Sequence, residues 1–219
     1  MNSPILQLLV LAGIAVFLIL RLKSVLGTRD GFEAPPAPRE TTATNDRRSF
    51  EVIEGGPDHD ITDHVAEGSQ AADALTKMKK AEPNFSVSQF LQGARGAYEM
   101  ILMGFERGDM AQIKPFLSND VYEAFAGVVE ERERNGLKIE ADFVGVRELT
   151  LVDAMFDDAT KAGEISVRFV GELTSVVRDS AGEIVEGEEG KIKRQKDTWT
   201  FERVFGSDDP NWQLVATGE

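Results

Sequence analysis

Hydrophobic residues change their spacing several times along the chain, and each change marks a different kind of segment. From Ile5 to Leu20 every residue is apolar except Gln7 and Gly13. As a helix this run reaches about 24 Å, and Leu22, Val25 and Leu26 extend it towards a hydrocarbon core of roughly 30 Å. Arg21 and Lys23 interrupt the extension, but such long cations can snorkel to the headgroups. A membrane anchor over residues 1–26 is therefore expected, bounded by Ile5, Leu20, Arg21 and Lys23. From 27 to 69 apolar residues are sparse and aperiodic, and Pro35, Pro36, Pro38, Gly55, Gly56 and Pro57 break any regular element. That pattern predicts a disordered linker. From Gln70 to Lys80, Ala71, Ala74, Leu75 and Met78 share one helical face, and Lys77, Lys79 and Lys80 crowd its end. A short amphipathic helix over 70–83 is expected, lying on a membrane surface or as a flap on the domain that follows.

Residues 84–219 read as a folded domain. Ser86 is placed to cap a helix, with Gln89 at the capping-box position. Phe90, Leu91, Ala94, Ala97, Tyr98, Ile101, Leu102 and Phe105 then recur at spacings of three and four. Gly108 should stop that helix, and Asp109 should cap a short one that Pro115 interrupts. Ser118 should cap a third, with Val121, Phe125, Val128 and Val129 inward and Gly136 at its end. The period then becomes two. Ile165, Val167, Phe169, Leu173 and Val177 alternate with polar residues, the clearest strand signal in the chain. Asp142 to Met155 is a second strand whose phase slips near Arg147, as a β-bulge would give. Ile184-Val185 starts a return strand, Trp199, Phe201 and Phe205 share one face, and Trp212, Leu214 and Ala216 share another, with a turn at Asp208–Asn211. Helices first and strands after predict an α+β domain with helices laid on one face of an antiparallel sheet.

Composition removes several functions. Among 219 residues there is no Cys, and 24 Lys+Arg against 38 Asp+Glu give a net charge of −14. No disulfide framework, Cys-ligated metal, iron–sulfur cluster or thiol chemistry follows from such a chain. The acidic balance argues against a nucleic-acid partner, which needs a basic face. The two His, His59 and His64, sit beside Asp58, Asp60 and Asp63 in the linker. A weak metal site there would carry a high ordering cost, so a solvated acidic stretch is the simpler reading, and no cofactor is expected. Met1 to Pro4 lacks Lys and Arg, and no small-x-small site follows Leu20, so the apolar run reads as an anchor rather than a cleaved signal. Arg21, Lys23 and Arg29 follow the run. By the positive-inside rule the N-terminus lies outside and the domain in the cytoplasm, in a single-pass inner (plasma) membrane protein.

Phe90-Leu-Gln-Gly-Ala-Arg95, Phe105-Glu-Arg-Gly-Asp109, Pro115-Phe-Leu-Ser118 and Val121-Tyr-Glu-Ala-Phe125 form an ordered set with Phe143-Val-Gly145, Val167-Arg-Phe-Val170, Thr198-Trp-Thr-Phe-Glu-Arg203 and Asp209-Pro-Asn-Trp-Gln-Leu214. In this order the set resembles the Tim44-like family, the bacterial relatives of a mitochondrial inner-membrane import subunit, from about Pro83 onward. The resemblance implies a cone of the nuclear-transport-factor-two-like (cystatin-like) class, with helices over the concave side of a curved sheet. It also implies a pocket, for which Phe90, Ile101, Leu102 and Phe105 on the first helix and Phe169, Trp199 and Phe201 on the sheet are the candidate lining. An acyl chain, an apolar partner segment or side chains alone would fill it. The role implied is an adaptor or scaffold at the inner membrane, holding an unidentified membrane-complex protein or a chaperone, with lipid contacted through the span.

Catalysis is the competing reading. Tyr98, Tyr122, Asp142 and Asp153 are the groups a cone-shaped enzyme would use for proton transfer. Tyr98 lies on the apolar stripe of the first helix, where a core tyrosine with a satisfied hydroxyl is the simpler assignment. The domain has no His, and the chain has no phosphate loop or nucleophile elbow. No catalytic residue is expected. Lys191-Ile-Lys-Arg-Gln-Lys196 is the one basic island of a domain that otherwise runs acidic, with 15 Lys+Arg and 26 Asp+Glu from 84 to 219, 15 − 26 = −11. It suits an anionic lipid or an acidic partner, or, more simply, pairs across strands with the acidic run Glu183–Glu189.

Overall fold

The computed structural model describes residues 58–218. The predicted span over Ile5–Leu20, with Arg21 and Lys23, lies outside them. Among the described residues no helix is long and apolar enough to cross a membrane.

Helices come first. They are α1 (His59–Thr62), α2 (Gln70–Ala81), α3 (Val87–Arg107) and α4 (Met110–Ile113), then a 3₁₀ turn over Lys114–Phe116 and α5 (Asn119–Arg134). Four strands follow: β1 (Lys138–Phe156), β2 (Ala162–Arg178), β3 (Ile184–Val204) and β4 (Gln213–Gly218). The helix starts are fixed by local chemistry. Side-chain oxygens of Ser69, Ser86, Asp109 and Ser118 accept from the backbone N–H three residues on, at 3.2, 3.3, 3.2 and 3.4 Å. Each satisfies a donor that has no partner inside its own helix. Gly108 ends α3 at φ 77°, a left-handed position that costs a residue with Cβ about 1 kcal/mol or more.

The strands form one antiparallel sheet in the order β1-β2-β3-β4. Alternation along β2 places Ile165, Val167, Phe169 and Leu173 on the helix side, all buried. Across from them on β3, Phe201 pairs with Ile165 and Trp199 with Val167. Phe201 in turn faces Leu214 on β4. The long helix α3 lays Phe90, Leu91, Ala94, Tyr98, Ile101 and Leu102 against this surface. The result is α+β, with helices packed on a four-stranded antiparallel sheet. The slip expected near Arg147 is present, because β1 and β2 lose register between Val146 and Glu148, and again at Phe143/Gly145 and Leu151/Asp153.

Two expectations need correcting. The domain does not begin at Asn84. Within the stretch read as disordered linker, α1 buries Ile61 at 3% exposure, and in α2 Leu75 and Met78 are 0% exposed. A fully buried Leu or Met is worth about 1.5–3 kcal/mol of transfer free energy, so α2 belongs to the core as a flap on the domain. Its apolar face is not free to lie on a membrane. The physical reason for the misreading is that one buried residue per turn of a four-residue helix leaves no period to detect. The second correction is β3, which is a single strand of 21 residues rather than a short return strand followed by a separate one. Its first half is exposed on both faces and so carries no apolar alternation.

Candidate functional site

The seven residues expected to line a pocket are not all brought together. Leu102, Phe169 and Trp199 are buried inside the layer between α3 and the sheet. Tyr98 is what fills that space. Its ring stacks on Phe169 at 4.4 Å with 10° between planes and leans on Trp199 at 4.7 Å. Gly171 makes the room, since a Cβ there would sit 2.7 Å from the Tyr98 Oη. Phe105 is half-buried elsewhere, 4.5 Å from the Phe125 ring and 4.2 Å from the Arg132 guanidinium. Burial pushes the neighbouring Glu106 carboxyl up, against the opposing pull of Arg132 and Lys193.

Phe90, Ile101 and Phe201 instead line an open groove of about 390 Å³. Gly93, Ala94 and Ala97 of α3 continue its apolar lining, with Phe116 and Trp212. A Cβ at Gly93 would meet nothing within 4 Å, so the groove is unobstructed there. Its polar end is built from Glu82, Asn84, Gln89, Arg203 and Asn211. The Arg203 side chain, 10% exposed, reaches Glu82 Oε2 at 2.9 Å and lies over the Phe205 and Trp212 rings at 4.5 and 5.3 Å. A guanidinium placed over two aromatic rings and paired to a carboxylate forms a buried wall of the groove. A second hollow of about 380 Å³ lies beside Gly96, Glu99, Met103, Arg107, Asp142 and Phe143 and is the more polar of the two.

The candidate acid–base groups are not assembled. Tyr98 Oη donates to Asp197 Oδ2 at 2.5 Å, and Gln195 Nε2 donates to the other oxygen at 3.1 Å. Burial, then the bond to Asp197 and its charge, holds the phenol far above its ordinary value. It is a fixed donor at neutral pH, and it lines neither hollow. Tyr122 sits under the Lys114 ammonium at 4.9 Å. Asp153 accepts from the Ala154 amide at 2.9 Å, and Asp142 lies in the second hollow.

The acidic stretch has a structural task. Asp60 accepts from the amides of Val87 and Ser88 at 2.8 and 2.9 Å, from Ser86 Oγ at 3.0 Å, and pairs with Lys79 at 2.8 Å. Burial opposes its ionisation, but these donors outweigh it and hold the carboxyl well below the usual range. Asp58 shares the same ammonium at 2.7 Å. His59 reaches Asp63 at 3.9 Å and His64 reaches Ser88 Oγ at 3.3 Å. Among the described residues no three His, Cys, Asp or Glu are grouped to hold a metal ion. In the basic island Lys191 pairs with Glu188 at 2.7 Å, within the acidic run, but Arg194 pairs with Glu172 on β2 at 2.9 Å. Sequence reading missed Asp197, Asp60 and Arg203. Their partners lie 99, 27 and 121 residues away, so no local spacing marked them.

A family model described as Tim44-like domain matches residues 71–219. The mitochondrial import inner membrane translocase subunit TIM44-1 of Arabidopsis thaliana is 22% identical over 183 residues, 80% of this chain and 37% of that protein. The human subunit TIM44 is 23% identical over 150 residues, 67% of this chain and 33% of its own length. The chain thus spans about a third of the length of these curated relatives. Among solved structures, the intermembrane space region of the chloroplast protein ARC6 overlaps 67% of this chain and 95% of that one, at 14% identity and a TM-score of 0.35.

Proposed function

Because the chain belongs to the Tim44-like domain family, we propose that it is a membrane-associated adaptor of the protein-translocation class, non-enzymatic, that holds a partner protein at an inner membrane. The observation that carries the proposal is the extent of the family match, 71–219, which takes in α2, α3, α5 and all four strands. Relatives bearing the name of an inner-membrane translocase subunit support the membrane setting. On this reading the apolar run Ile5–Leu20 is the anchor, Arg21 and Lys23 mark its cytoplasmic end, and the domain works in the cytoplasm as a cone of the nuclear-transport-factor-two-like class. A tether of some thirty to forty residues would keep the domain at an effective concentration on the order of mM towards its membrane neighbours. The burial of Tyr98 away from both hollows favours an adaptor over proton-transfer chemistry.

The groove favours a second reading of the same domain. Its apolar lining from Phe90, Ala97, Ile101, Phe116 and Trp212 suits an acyl chain or a small hydrophobic ligand. Retention tests the adaptor reading. Membranes washed in alkaline carbonate should keep the full chain in the pellet, and protease added outside the cell should spare the domain. Recovery in the supernatant, or digestion from outside, contradicts it.

A further inference from the structure

On β3 the positions that face the helices include Trp199, Phe201 and Arg203, which pair with Val167, Ile165 and Gly163 on β2. Phe205 follows them into the core. One of these four inward residues is a cation. The Arg203 side chain is only 10% exposed, and its Nε has no hydrogen-bond partner among the described residues. Nη2 donates to Glu82 at 2.9 Å, but Nη1 reaches only the Pro210 carbonyl at 3.5 Å, beyond the usual range of about 2.7–3.2 Å. Stability alone does not call for such a residue, since a buried ion pair exchanged for apolar side chains of like volume is often neutral or stabilising. A buried guanidinium with donors left over is instead completed by an incoming oxygen acceptor.

Arg203 stands at the polar end of the groove along α3, and its surroundings decide what kind of acceptor fits. Among the described residues Glu82 and Arg203 are the only charged groups in the lining, and they are paired. The end is therefore electrically balanced and offers little to hold a carboxylate or phosphate, which a domain of net −11 also repels. Asn84 and Gln89 at the rim are exposed, uncharged amides whose side chains make no hydrogen bond among the described residues. Each can donate and accept, which matches the alternating N–H and C=O groups of a peptide backbone. Beyond them Gly93 and Ala97 leave the α3 main chain open to close approach beside Phe90, Phe116 and Trp212. The volume of about 390 Å³ lies at the low end of the roughly 300–1,000 Å³ of small-ligand sites, room for a short segment with a large apolar side chain.

We propose that the groove along α3 binds an uncharged apolar segment of a partner protein, with an anchor side chain against Phe90, Phe116 and Trp212 and a backbone carbonyl accepting from Arg203. The proposal rests on the adaptor reading and gives it a surface. The anchor supplies most of the affinity, as a large side chain in a desolvated pocket does at other interfaces. Arg203, Asn84 and Gln89 supply the preference for a peptide over plain hydrocarbon. A lipid is the competing occupant. Its acyl chain suits the apolar wall, but it brings an anionic or zwitterionic head to an end that is already balanced.

The test uses the full chain in nanodiscs of zwitterionic lipid and a fluorophore-labelled peptide, acetyl-Gly-Ser-Leu-Phe-Leu-Ser-Gly-amide. Anisotropy should show saturable binding, and tryptophan emission should shift with it because Trp212 lines the groove. Gly93→Leu should weaken binding at least tenfold with no fall in melting temperature, since a Cβ at 93 meets nothing within 4 Å and Leu favours helix over Gly. Arg203→Lys keeps the charge beside Glu82 but loses the fork of donors, and should weaken binding at least fivefold. If that variant melts early, Gly93→Leu alone decides. The same peptide with Ser at its Leu and Phe positions should not bind, and palmitate at equal concentration should not displace the apolar one. Displacement by palmitate, equal binding by Gly93→Leu, no binding, or self-association that Gly93→Leu abolishes would each overturn the proposal. Crosslinking in native membranes from a photoreactive residue at Gln89 separates the two claims. A partner captured equally by wild type and Gly93→Leu removes the groove and leaves the adaptor, whereas no capture by either removes both. Crosslinks only to residues 1–57 of the same chain give the groove to this chain itself and overturn the proposal.

Discussion

Tyr98→Phe takes away one oxygen and leaves the ring on Phe169 and Trp199. The loss is the hydrogen bond to Asp197, 2.5 Å long and part-buried. A bond to a charged acceptor is worth about 1.5–3 kcal/mol, and Asp197 keeps the Gln195 amide at 3.1 Å, so about 1.5–2 kcal/mol is expected. For a folded unit of this size 1 kcal/mol moves Tm by about 2–4 °C, which gives a fall of about 3–8 °C. The sign with pH is also fixed. Burial and Asp197 raise the phenol pKa in the folded state above its unfolded value of about 10. The folded state therefore holds its proton longer, and the stability this contributes is complete below about pH 10 and lost as pH rises above it. Thermal melts of the full chain in detergent at pH 7, 9 and 10.5 measure both effects. Wild type should lose stability between the last two, and the Phe variant should lose less. A double-mutant cycle with Asp197→Asn should give a coupling of at least about 1 kcal/mol. A change under about 0.5 kcal/mol with the same alkaline loss would refute the view that this hydroxyl ties α3 to the sheet.

Three further outcomes follow from the packing. Gly171→Ala places a Cβ 2.7 Å from the Tyr98 Oη and 2.9 Å from its ring, and should cost about 1–3 kcal/mol in a denaturant titration. Leu75→Ala, in a helix the sequence left between membrane and domain, should cost about 2–5 kcal/mol in the same titration, and a change near zero would place α2 outside the core. Asp60→Asn should weaken the clamp on the start of α3 by about 0.5–2 kcal/mol and expose residues 58–69 to limited proteolysis. Because the Asp60 carboxyl is held below its ordinary value near 4, its contribution is present above about pH 4 and lost as pH falls below that, a loss the Asn variant should not show.

What the sequence disclosed was local. Ser86, Asp109 and Ser118 act on amides three residues away, and Gly108 answers a backbone angle, so each could be read in place. The alternation in β2 survives because its helix side is covered from Ile165 to Leu173. The candidate site was legible only by halves. Helical spacing put Phe90 and Ile101 on one face, but whether the space beneath α3 stays open depends on a Tyr98 ring settling over Gly171, a matter of volumes across 73 residues, 171 − 98 = 73. Trp212 and Arg203 complete the groove from the far end of the chain for the same reason. The N-terminal boundary failed because the clamp at Asp60 rests on amides 27 and 28 residues later, and no period in 58–69 hints at it.

Crosslinking in intact membranes, read by mass spectrometry, tests most directly whether the domain holds a partner at the bilayer. The comparison is between the full chain and one beginning after Leu26, both carrying a photoreactive residue at Ala97 in the groove or at the exposed Ile192 on β3. One reproducible membrane-complex or chaperone partner is expected on the full chain, captured from at least one of the two positions and reduced when the first 26 residues are absent. Equal capture with and without them contradicts the tether. No capture above background from either position, together with turnover of a hydrophobic substrate by the domain that is lost in Tyr98→Phe, contradicts the adaptor itself.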